Sequence, residues 1–347
     1  MDKKEKNEDL IPELRMDVES SDWVVIAKGR AFRPLDFKKS NLRRVKADKQ
    51  HCVFCKLGKD ERPIMVMVRG KQVPTGYFPQ TWTMVVLENK FPAFIHNGKD
   101  LEERMEGNLY KKMNAIGHHE LVIPKRHEQD LWKLEEEEMR EFFNAYQQRY
   151  LALKEEKFVN YISIFHNSGP FAGASIAHVH SQIVTTPLID RDLRKSISVA
   201  EEYQKTKQKC LTCDMNTLEM NMKKRVVYEN ENFIAICPFA SKTAFEVIVS
   251  PKKHLSYFEQ ITEKEKADLA LAFKVILARL AKALKNPDYN FYLHTSPCDG
   301  KDYRYYHWHW TILPKTSIAA GFELGTQIYV SAVAPEDAAM VLANTKI

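Results

Sequence analysis

Two long stretches of the chain place apolar residues at helical spacing. In residues 133–157 and 262–285, apolar side chains recur every three or four positions. Thr262 and Glu265 stand where a capping box would begin the second stretch. The pattern predicts two amphipathic helices, each with one apolar face that covers a sheet. The apolar positions are Met139, Phe142, Phe143, Tyr146, Tyr150 and Leu153 in the first stretch, and Leu269, Phe273, Ile276, Leu280 and Leu284 in the second.

Apolar runs of strand length surround each predicted helix in the same order. Before the helices, residues 119–127 and 245–254 each end an apolar run with a Pro-Lys-x-His sequence. After them, residues 161–165 and 291–293 form second apolar runs, and each run leads to a His-x-His sequence. The repeated order predicts an α+β fold of two tandem modules, each an antiparallel sheet covered by a long amphipathic helix.

The junction between the modules is expected in residues 190–209, a polar stretch rich in Arg, Lys, Glu and Gln without strong periodicity. We therefore expect one module in residues 1–195 and the second in residues 196–347. Length and composition agree with this division. The 347 residues exceed the roughly 100 to 200 of a typical domain, and 44% of them are hydrophobic, enough for a large core.

Charge and hydropathy limit the partners and the cellular location that can be expected for the protein. The net charge of +6 suits anionic substrates as well as nucleic acid, so it does not choose between them. The first nine residues are dense in both charge signs and lack the apolar stretch of a secretory signal. The longest apolar runs fall far short of the roughly 20 residues that span a bilayer. We expect a soluble, cytoplasmic protein with no membrane partner.

Four of the six cysteines form two Cys-x-x-Cys pairs, one in each module. Two thiolates on one turn suit tetrahedral zinc, which then needs two more ligands. The histidines at equivalent places in the repeat supply them, so we expect two structural zinc sites, whereas a redox pair or packed thiols would explain a lone Cys-x-x-Cys. Cys237 and Cys298 lie outside. The predicted ligands are Cys52, Cys55, His127 and His178 in the first module, and Cys210, Cys213, His254 and His307 in the second.

A zinc ion with four protein ligands has no open position, so the chemistry must lie beside the metal. The richest segment is residues 165–182. Its glycine loop, with Gly169, Gly173 and Ser175, can bring backbone N–H groups close to a phosphate. In an extended strand, His178, His180 and Gln182 would then share one face. An imidazole is a good nucleophile toward phosphorus, and a neutral glutamine can donate a hydrogen bond to a phosphoryl oxygen.

The same segment carries a family resemblance. His178-x-His180-x-Gln182, preceded by Asn167 and Gly173-x-Ser175, resembles the galactose-1-phosphate uridylyltransferase branch of the histidine-triad superfamily. Hydrolytic relatives in that superfamily carry a third histidine where this chain has Gln182. Residues 23–34 resemble the family's opening strand and arginine pair, and Gly321-Phe322-Glu323 resembles its sugar-binding Gly-Tyr-Glu. The resemblance thus covers nearly the whole chain and implies two tandem histidine-triad-like modules.

The resemblance also implies an activity, a transfer of a nucleoside monophosphate from UDP-glucose to a hexose 1-phosphate. The transfer would be ping-pong, through a covalent nucleotidyl intermediate on His180. Family members are commonly homodimers, so a homodimer is expected. The implied catalytic residues are His180 and Gln182. The implied substrate-binding residues are Arg30, Arg33, Asn89, Phe91, Asn167, Gly173, Ser175, Phe322 and Glu323.

Two departures from the family leave the substrate open. Bacterial galactose enzymes use a Glu/His cluster for their second metal, whereas this chain has a second Cys/His set, which could hold zinc or iron. The sugar-binding segment also differs, with Phe322 for the usual tyrosine. Both features resemble the plant-type ADP-glucose phosphorylases, which use free phosphate as acceptor. That activity is the main alternative.

The second module and the basic residues suggest further readings. His309 stands where the first module has His180, but it lacks a following glutamine and a preceding glycine loop, so the second module is expected to be a scaffold copy.

A zinc-stabilised nucleic-acid-binding protein is the remote alternative, because Lys38, Lys39, Arg43, Arg44, Lys46 and Lys49 form a basic stretch. The long helices are acidic or mixed, however, which argues against binding in a DNA groove. We expect no nucleic-acid partner.

Overall fold

A computed structural model describes residues 11–29, 48–58, 61–74, 76–96, 98 and 101–347. Arg30, Arg33 and most of the basic stretch lie outside these residues. The helices are α1 (Glu136–Leu153), α2 (Arg191–Lys207), α3 (Leu211–Met222), α4 (Glu263–Ala283), α5 (Gly321–Thr326) and α6 (Pro335–Asn344). The strands of the first half are β1 (Glu13–Met16), β2 (Trp23–Ile26), β3 (Met65–Val68), β4 (Lys71–Gln72), β5 (Met84–Glu88), β6 (Glu103–Glu106), β7 (Tyr110–Met113), β8 (His119–Pro124), β9 (Tyr161–Ser168) and β10 (Ser181–Thr186). Those of the second half are β11 (Val226–Glu229), β12 (Phe233–Ile236), β13 (Val247–Pro251), β14 (Tyr289–His294), β15 (His309–Pro314) and β16 (Tyr329–Ser331).

One antiparallel sheet runs through both halves of the chain. Its strand order is β11-β12-β13-β15-β14-β9-β10-β8-β5-β3-β4. From the central pair outward, β9, β10, β8, β5 and β3 on one side correspond to β14, β15, β13, β12 and β11 on the other. The two halves therefore join edge to edge through antiparallel pairing of β9 with β14, and that seam buries the open edge of each module. The predicted fold class is confirmed.

The two predicted amphipathic helices cover the same face of this sheet. Helix α1 contacts β5, β8 and β9, helix α4 contacts β11 and β12, and the two helices pack against each other. The Phe143 and Phe273 rings meet at 5.1 Å between centroids. The predicted capping box of Thr262 and Glu265 begins α4. The main core is thus shared by both halves.

The opposite face of the sheet is only partly covered. On β10 the Ser181 side chain is fully buried and accepts a hydrogen bond from the Tyr146 hydroxyl of α1 (2.6 Å). Side chains alternate along a strand, so Gln182, which follows Ser181 on β10, points to the other face. Strands β1, β2 and β16 form a separate three-stranded sheet. No helix among the described residues is long and apolar enough to cross a bilayer.

Two segments have a local structure that the sequence patterns did not indicate. The polar stretch near the junction is helix α2, which begins at the N-cap Asp190, whose carboxylate accepts the Leu193 N–H (2.9 Å). Its narrow apolar stripe of Leu193, Ile197 and Ala200 is buried, so a helix forms although most of its residues are polar. The predicted module boundary at 195/196 falls inside this helix and stays a prediction. The strand after the glycine loop begins at Ser181, so His178 and His180 lie in the segment that leads into it.

Candidate active site

A row of polar side chains crosses the face of the sheet that lies opposite helices α1 and α4. Ser181 pairs with His166, and Gln182 pairs with Phe165, so Asn167 and His180 come next to each other at the end of that ladder. Cross-strand neighbours point to the same face of a sheet. On the far side of Asn167 its partner in β14 is Asn290. The sheet therefore gathers residues that lie far apart in sequence.

The first Cys/His cluster closes one end of this row. The Cys52 thiol lies 3.3 Å from Nδ1 of His178, and the Cys55 thiol lies 3.1 Å from Nδ1 of His127. The four ligand atoms all lie within 4.8 Å of one another, as a tetrahedral ion with metal–ligand bonds of roughly 2.0–2.3 Å requires. Burial lowers the pKa of His178 to about 4, so its ring is neutral, the form that binds metals.

The second cluster repeats this arrangement with the same donors. Cys213 lies 3.4 Å from Nδ1 of His307 and 3.7 Å from Nδ1 of His254. In both clusters the other ring nitrogen donates to a backbone carbonyl: His178 to Pro124 (2.9 Å) and His307 to Pro251 (3.1 Å). Such outer hydrogen bonds turn Nδ1 toward the metal position and fix the tautomer. All eight predicted ligands are brought together, four in each cluster, and each cluster could hold a metal ion.

The ring of His180 has one nitrogen engaged and one open. Its Nδ1–H donates to the carbonyl oxygen of His178 (2.9 Å). A carbonyl can only accept, so the neutral ring carries its proton on Nδ1, and Nε2 keeps a free lone pair. Burial lowers the pKa of His180 below its ordinary 6.5, which keeps the ring unprotonated. This is the form that an imidazole nucleophile needs.

The first Cys/His cluster and His180 are in contact. Phe54, between the two cysteines, packs its ring 5.7 Å from that of His178 and 5.2 Å from that of His180. The His178 carbonyl also accepts the hydrogen bond from Nδ1 of His180. His178 therefore connects the first Cys/His cluster to the His180 ring.

The glycine loop has the unusual backbone that was predicted for it. Gly169 and Gly173 have φ values of +87° and +85°, in the region that favours glycine. A Cβ on Gly169 would lie 2.0 Å from the Asp288 carboxylate, which also accepts the Phe171 N–H (2.8 Å). The second half thus supports the loop of the first. Ser175 is exposed in the same loop.

Asn89 and Phe91 lie at the other end of the row, just after β5. The Asn89 side-chain oxygen accepts the Phe91 N–H (3.0 Å), and its nitrogen lies 3.1 Å from Nε2 of His119. Phe91 is 89% exposed, so it is not a core residue. An aromatic ring that is left open in this way suits contact with a ligand or a partner surface.

The predicted sugar-binding residues lie on a different part of the chain. Phe322 and Glu323 are in the short helix α5, which contacts β16 of the three-stranded sheet. Phe322 is exposed, and the Glu323 carboxylate accepts the Ala320 N–H (3.1 Å). No described contact joins them to the row of polar side chains, so their role stays a prediction. Arg30 and Arg33 lie outside the described residues.

Two residues of the site were missed in the sequence. His119, on β8, lies with Nε2 2.8 Å from the side-chain oxygen of Gln182. Asn290, on β14, donates to the side-chain oxygen of Asn167 (2.8 Å). Neither has a local sequence signal, since each depends on strand pairing.

Among the described residues, the equivalent position in the second half has neither the hydrogen bond that fixes the His180 tautomer nor a glutamine. His309 has a buried Nδ1 with no hydrogen-bond partner among the described residues, and its ring lies 4.8 Å from that of His294. Thr311 occupies the position on β15 that Gln182 has on β10. The geometry agrees with the expectation that the second half is a scaffold copy.

Comparison with known proteins gives matches over nearly the whole chain. The N-terminal domain model of galactose-1-phosphate uridyl transferase matches residues 1–190, and the C-terminal domain model matches residues 196–343. An ADP-glucose phosphorylase of Arabidopsis thaliana is 31% identical over 339 residues, which cover 97% of this chain and 93% of the relative. A galactose-1-phosphate uridylyltransferase of Thermotoga maritima is 26% identical over 344 residues, 96% and 99% of the two chains.

A solved structure is similar over the same extent. It is the crystal structure of an ADP-glucose phosphorylase from Arabidopsis thaliana with bound ADP-glucose. The TM-score is 0.79 at 29% identity, and the match covers 97% of this chain and 100% of the other.

Proposed function

The chain belongs to the galactose-1-phosphate uridylyltransferase family, and on that basis we propose that it is a nucleotidyltransferase working through His180. The substrate would be a nucleoside diphosphate hexose. The observation that carries the proposal is the tautomer of His180, because the hydrogen bond to the His178 carbonyl leaves Nε2 unprotonated.

The proposed reaction has two displacements at one phosphorus atom. In the first, the Nε2 lone pair attacks the α-phosphorus, a P–N bond forms, and the bond to the bridging oxygen breaks, which releases hexose 1-phosphate. In the second, an oxygen of the acceptor attacks the same phosphorus and the P–N bond breaks. The amide of Gln182 would donate to a phosphoryl oxygen in both steps, with Asn167, Gly173 and Ser175 beside it.

Two donors and two acceptors fit this scheme. The matched relatives include an ADP-glucose phosphorylase at 31% identity and a uridylyltransferase at 26%, which favours ADP-glucose over UDP-glucose as donor. Free phosphate is then the favoured acceptor, with a hexose 1-phosphate as the second candidate. The second Cys/His cluster, which resembles that of the plant-type members, supports the same choice.

The covalent intermediate can be tested directly. The protein is incubated with ADP-glucose or UDP-glucose labelled at the α-phosphorus, without acceptor. We expect an acid-labile, alkali-stable label on the protein that is absent in His180→Ala and present in His309→Ala. A label that persists in His180→Ala would refute the mechanism, and the donor that labels faster identifies the nucleotide.

The second half-reaction identifies the acceptor. Labelled protein, freed of donor, is mixed with phosphate or with galactose 1-phosphate. Release of labelled nucleoside diphosphate with phosphate indicates a phosphorylase, and release of labelled nucleoside diphosphate sugar with the hexose phosphate indicates a transferase. We further propose two zinc ions per chain, to be counted by elemental analysis, and a homodimer, to be tested by light scattering.

A further inference from the structure

Two side-chain amides in the row have their oxygen atoms held by donors from neighbouring strands. The Asn290 side-chain nitrogen donates to the carbonyl oxygen of Ala172 and to Oδ1 of Asn167, both at 2.8 Å. The Ala172 carbonyl can only accept, so the group of Asn290 that faces it is the NH2. The Asn167 atom that meets the same NH2 must then be the oxygen. Its own NH2 is turned toward Gly173, where a Cβ would lie 3.9 Å from the nitrogen.

His119 holds Gln182 in a comparable way. The Ala93 N–H donates to Nδ1 of His119 (3.1 Å), so this nitrogen carries no proton. The neutral ring therefore has its proton on Nε2, which donates to the Gln182 side-chain oxygen (2.8 Å). With this tautomer the Asn89 NH2, 3.1 Å from the same Nε2, faces a second donor and makes no hydrogen bond to His119. The Gln182 NH2 is turned away from His119, with no partner among the described residues.

We infer that Asn290 and His119 are positioning residues that keep the NH2 groups of Asn167 and Gln182 directed at the transferred phosphoryl group. The inference rests on the proposed function and deepens it. An amide can rotate by half a turn and exchange its donor for its acceptor, which would direct an oxygen at an anionic phosphate. A donor that binds each amide oxygen prevents that rotation before the substrate binds. The two NH2 groups are therefore preorganised to face the charge of the phosphoryl group.

The inference assigns a role in catalysis to the second half of the chain. Asn290 comes from β14, across the seam from Asn167 on β9. Asp288, the residue just before this strand, accepts the Phe171 N–H of the glycine loop. The scaffold copy thus supports both the loop and one of the two amides.

Asn290→Asp tests the first pair through a double-mutant cycle with Asn167→Ala. The carboxylate of the variant cannot donate to Asn167, so the Asn167 amide should rotate. We expect the rate constant of adduct formation to fall on the order of 10²-fold, with a smaller change in KM. In the Asn167→Ala background the same substitution should cost less than about threefold, since coupled effects are not additive. Equal losses in both backgrounds would show a merely structural role and overturn the inference.

Asn160→Asp is the matched control, because Asn160 also donates its side-chain nitrogen to a backbone carbonyl, that of Pro187 (2.7 Å). It should leave the rate of adduct formation near that of the wild type. Should Asn290→Asp fail to fold while the control folds, Asn290→Ala, which also removes the donor, takes its place in the cycle.

His119 is tested by substitution and by spectroscopy. His119→Leu should lower the labelling rate on the order of 10²-fold, His119→Gln should restore most of it with its own NH2, and neither should add to Gln182→Ala. The nitrogen NMR spectrum of the wild-type ring should show the proton on Nε2. A proton on Nδ1 would contradict the assignment of Gln182.

The two proposals fail in distinguishable ways. A wild-type protein that takes up no label from either donor refutes the proposed function and with it the positioning roles, whichever tautomer the ring spectrum shows. A wild-type protein that labels, with additive losses in both cycles, keeps the function and refutes the positioning roles.

Discussion

Backbone groups decide which side-chain atoms of the site are free to react. The His178 carbonyl fixes the proton of His180, the Ala172 carbonyl fixes the amide of Asn290, and the Ala93 N–H fixes the ring of His119. A carbonyl only accepts and a backbone N–H only donates, so each contact has a single direction. The tautomers of His180 and His119 and the amide orientation of Asn290 are therefore set by backbone groups, which cannot rotate as a side chain does.

The lowered pKa of His180 predicts the pH dependence of adduct formation. Burial lowers this pKa below 6.5, so more than half of the rings stay unprotonated at pH 6.5. We expect the labelling rate at saturating donor to fall as the solution is acidified, with a midpoint below pH 6.5. A single-turnover pH series measures this. A decline centred above pH 6.5 would show that the nucleophile has a raised pKa.

Glu246 predicts a pH dependence of stability that is separate from activity. Burial raises the pKa of its carboxyl group to about 7, from an ordinary 4.5. The protonated form is favoured in the folded state, so this contribution is present below about pH 4.5 and is lost as pH rises through about 7. From about 1.4 kcal/mol per pKa unit, the loss is on the order of 3 kcal/mol.

Glu246→Gln should remove this dependence, because glutamine is neutral at every pH and can still accept the Lys242 N–H that Glu246 binds. Urea denaturation of both proteins at pH 5 and pH 8 gives the comparison. The wild type should lose more free energy of unfolding between the two values than the variant. Identical losses would contradict the raised pKa.

Short sequence patterns identified the candidate ligands, His180 and Gln182, but not the residues that contact them. The structure gathers the eight predicted ligands into two clusters, each of which could hold a metal ion. His119 and Asn290 belong to no pattern. Their contacts follow from cross-strand register, which is fixed by pairing between distant segments.

At the scale of elements, the two long helices join the halves of the chain. Buried Lys266 of α4 donates to Gln147 (2.7 Å) and to Asn144 (3.0 Å) of α1, and the aromatic rings of both helices meet over the sheet. A buried ammonium group with these partners is satisfied, so the interface is polar at one place and apolar elsewhere. The helices therefore cannot separate without exposing core from both halves.

Phe273 is the centre of this interface. It is fully buried on α4, and its ring lies 5.1 Å from Phe143, 5.2 Å from Phe291 and 5.6 Å from Trp310. Phe273→Ala should lower the free energy of unfolding by about 3–5 kcal/mol, because it leaves a cavity where four rings meet. Leu218→Ala, at a residue of α3 that is 54% exposed, should change it by about 0.5 kcal/mol or less. Chemical denaturation followed by circular dichroism measures both, and similar values for the two would contradict the shared core.

Sequence patterns predicted the long helices but not the helix between the halves. Wide apolar faces and a capping box defined α1 and α4. In α2 only Leu193, Ile197 and Ala200 are buried, and most of the other residues are polar. Such a narrow stripe gives a weak periodic signal, and tertiary packing supplies most of the stability of such a helix.

At the scale of the whole molecule, each half has one Cys/His cluster, and among the described residues the first cluster is the one that contacts His180. His178 and Phe54 connect it to His180. The second cluster holds the start of α3, where Cys210 is the N-cap, to the segment before β15. Losing one metal site should therefore have a different effect from losing the other.

Cys55→Ser and Cys213→Ser test this difference. Each should lower the metal content from two ions per chain to one, measured by elemental analysis. Cys55→Ser should abolish most labelling of His180, whereas Cys213→Ser should keep the labelling rate of folded protein within about threefold and lower the stability, since structural metal sites contribute folding energy. Equal loss of labelling in both variants would contradict the separate roles.

The repeated sheet, with equivalent strands on either side of the β9–β14 seam, also affects how the protein can evolve. In an assembly of two identical chains, every substitution appears at both equivalent sites. In this chain the two copies are encoded one after the other, so a substitution alters one of them alone. The second copy could therefore hold Thr311 where the first holds Gln182, while its strand β14 supplied Asn290 to the neighbour that kept the reactive histidine. Covalent joining of the halves at the β9–β14 seam thus allows one inherited copy to specialise in support of the other.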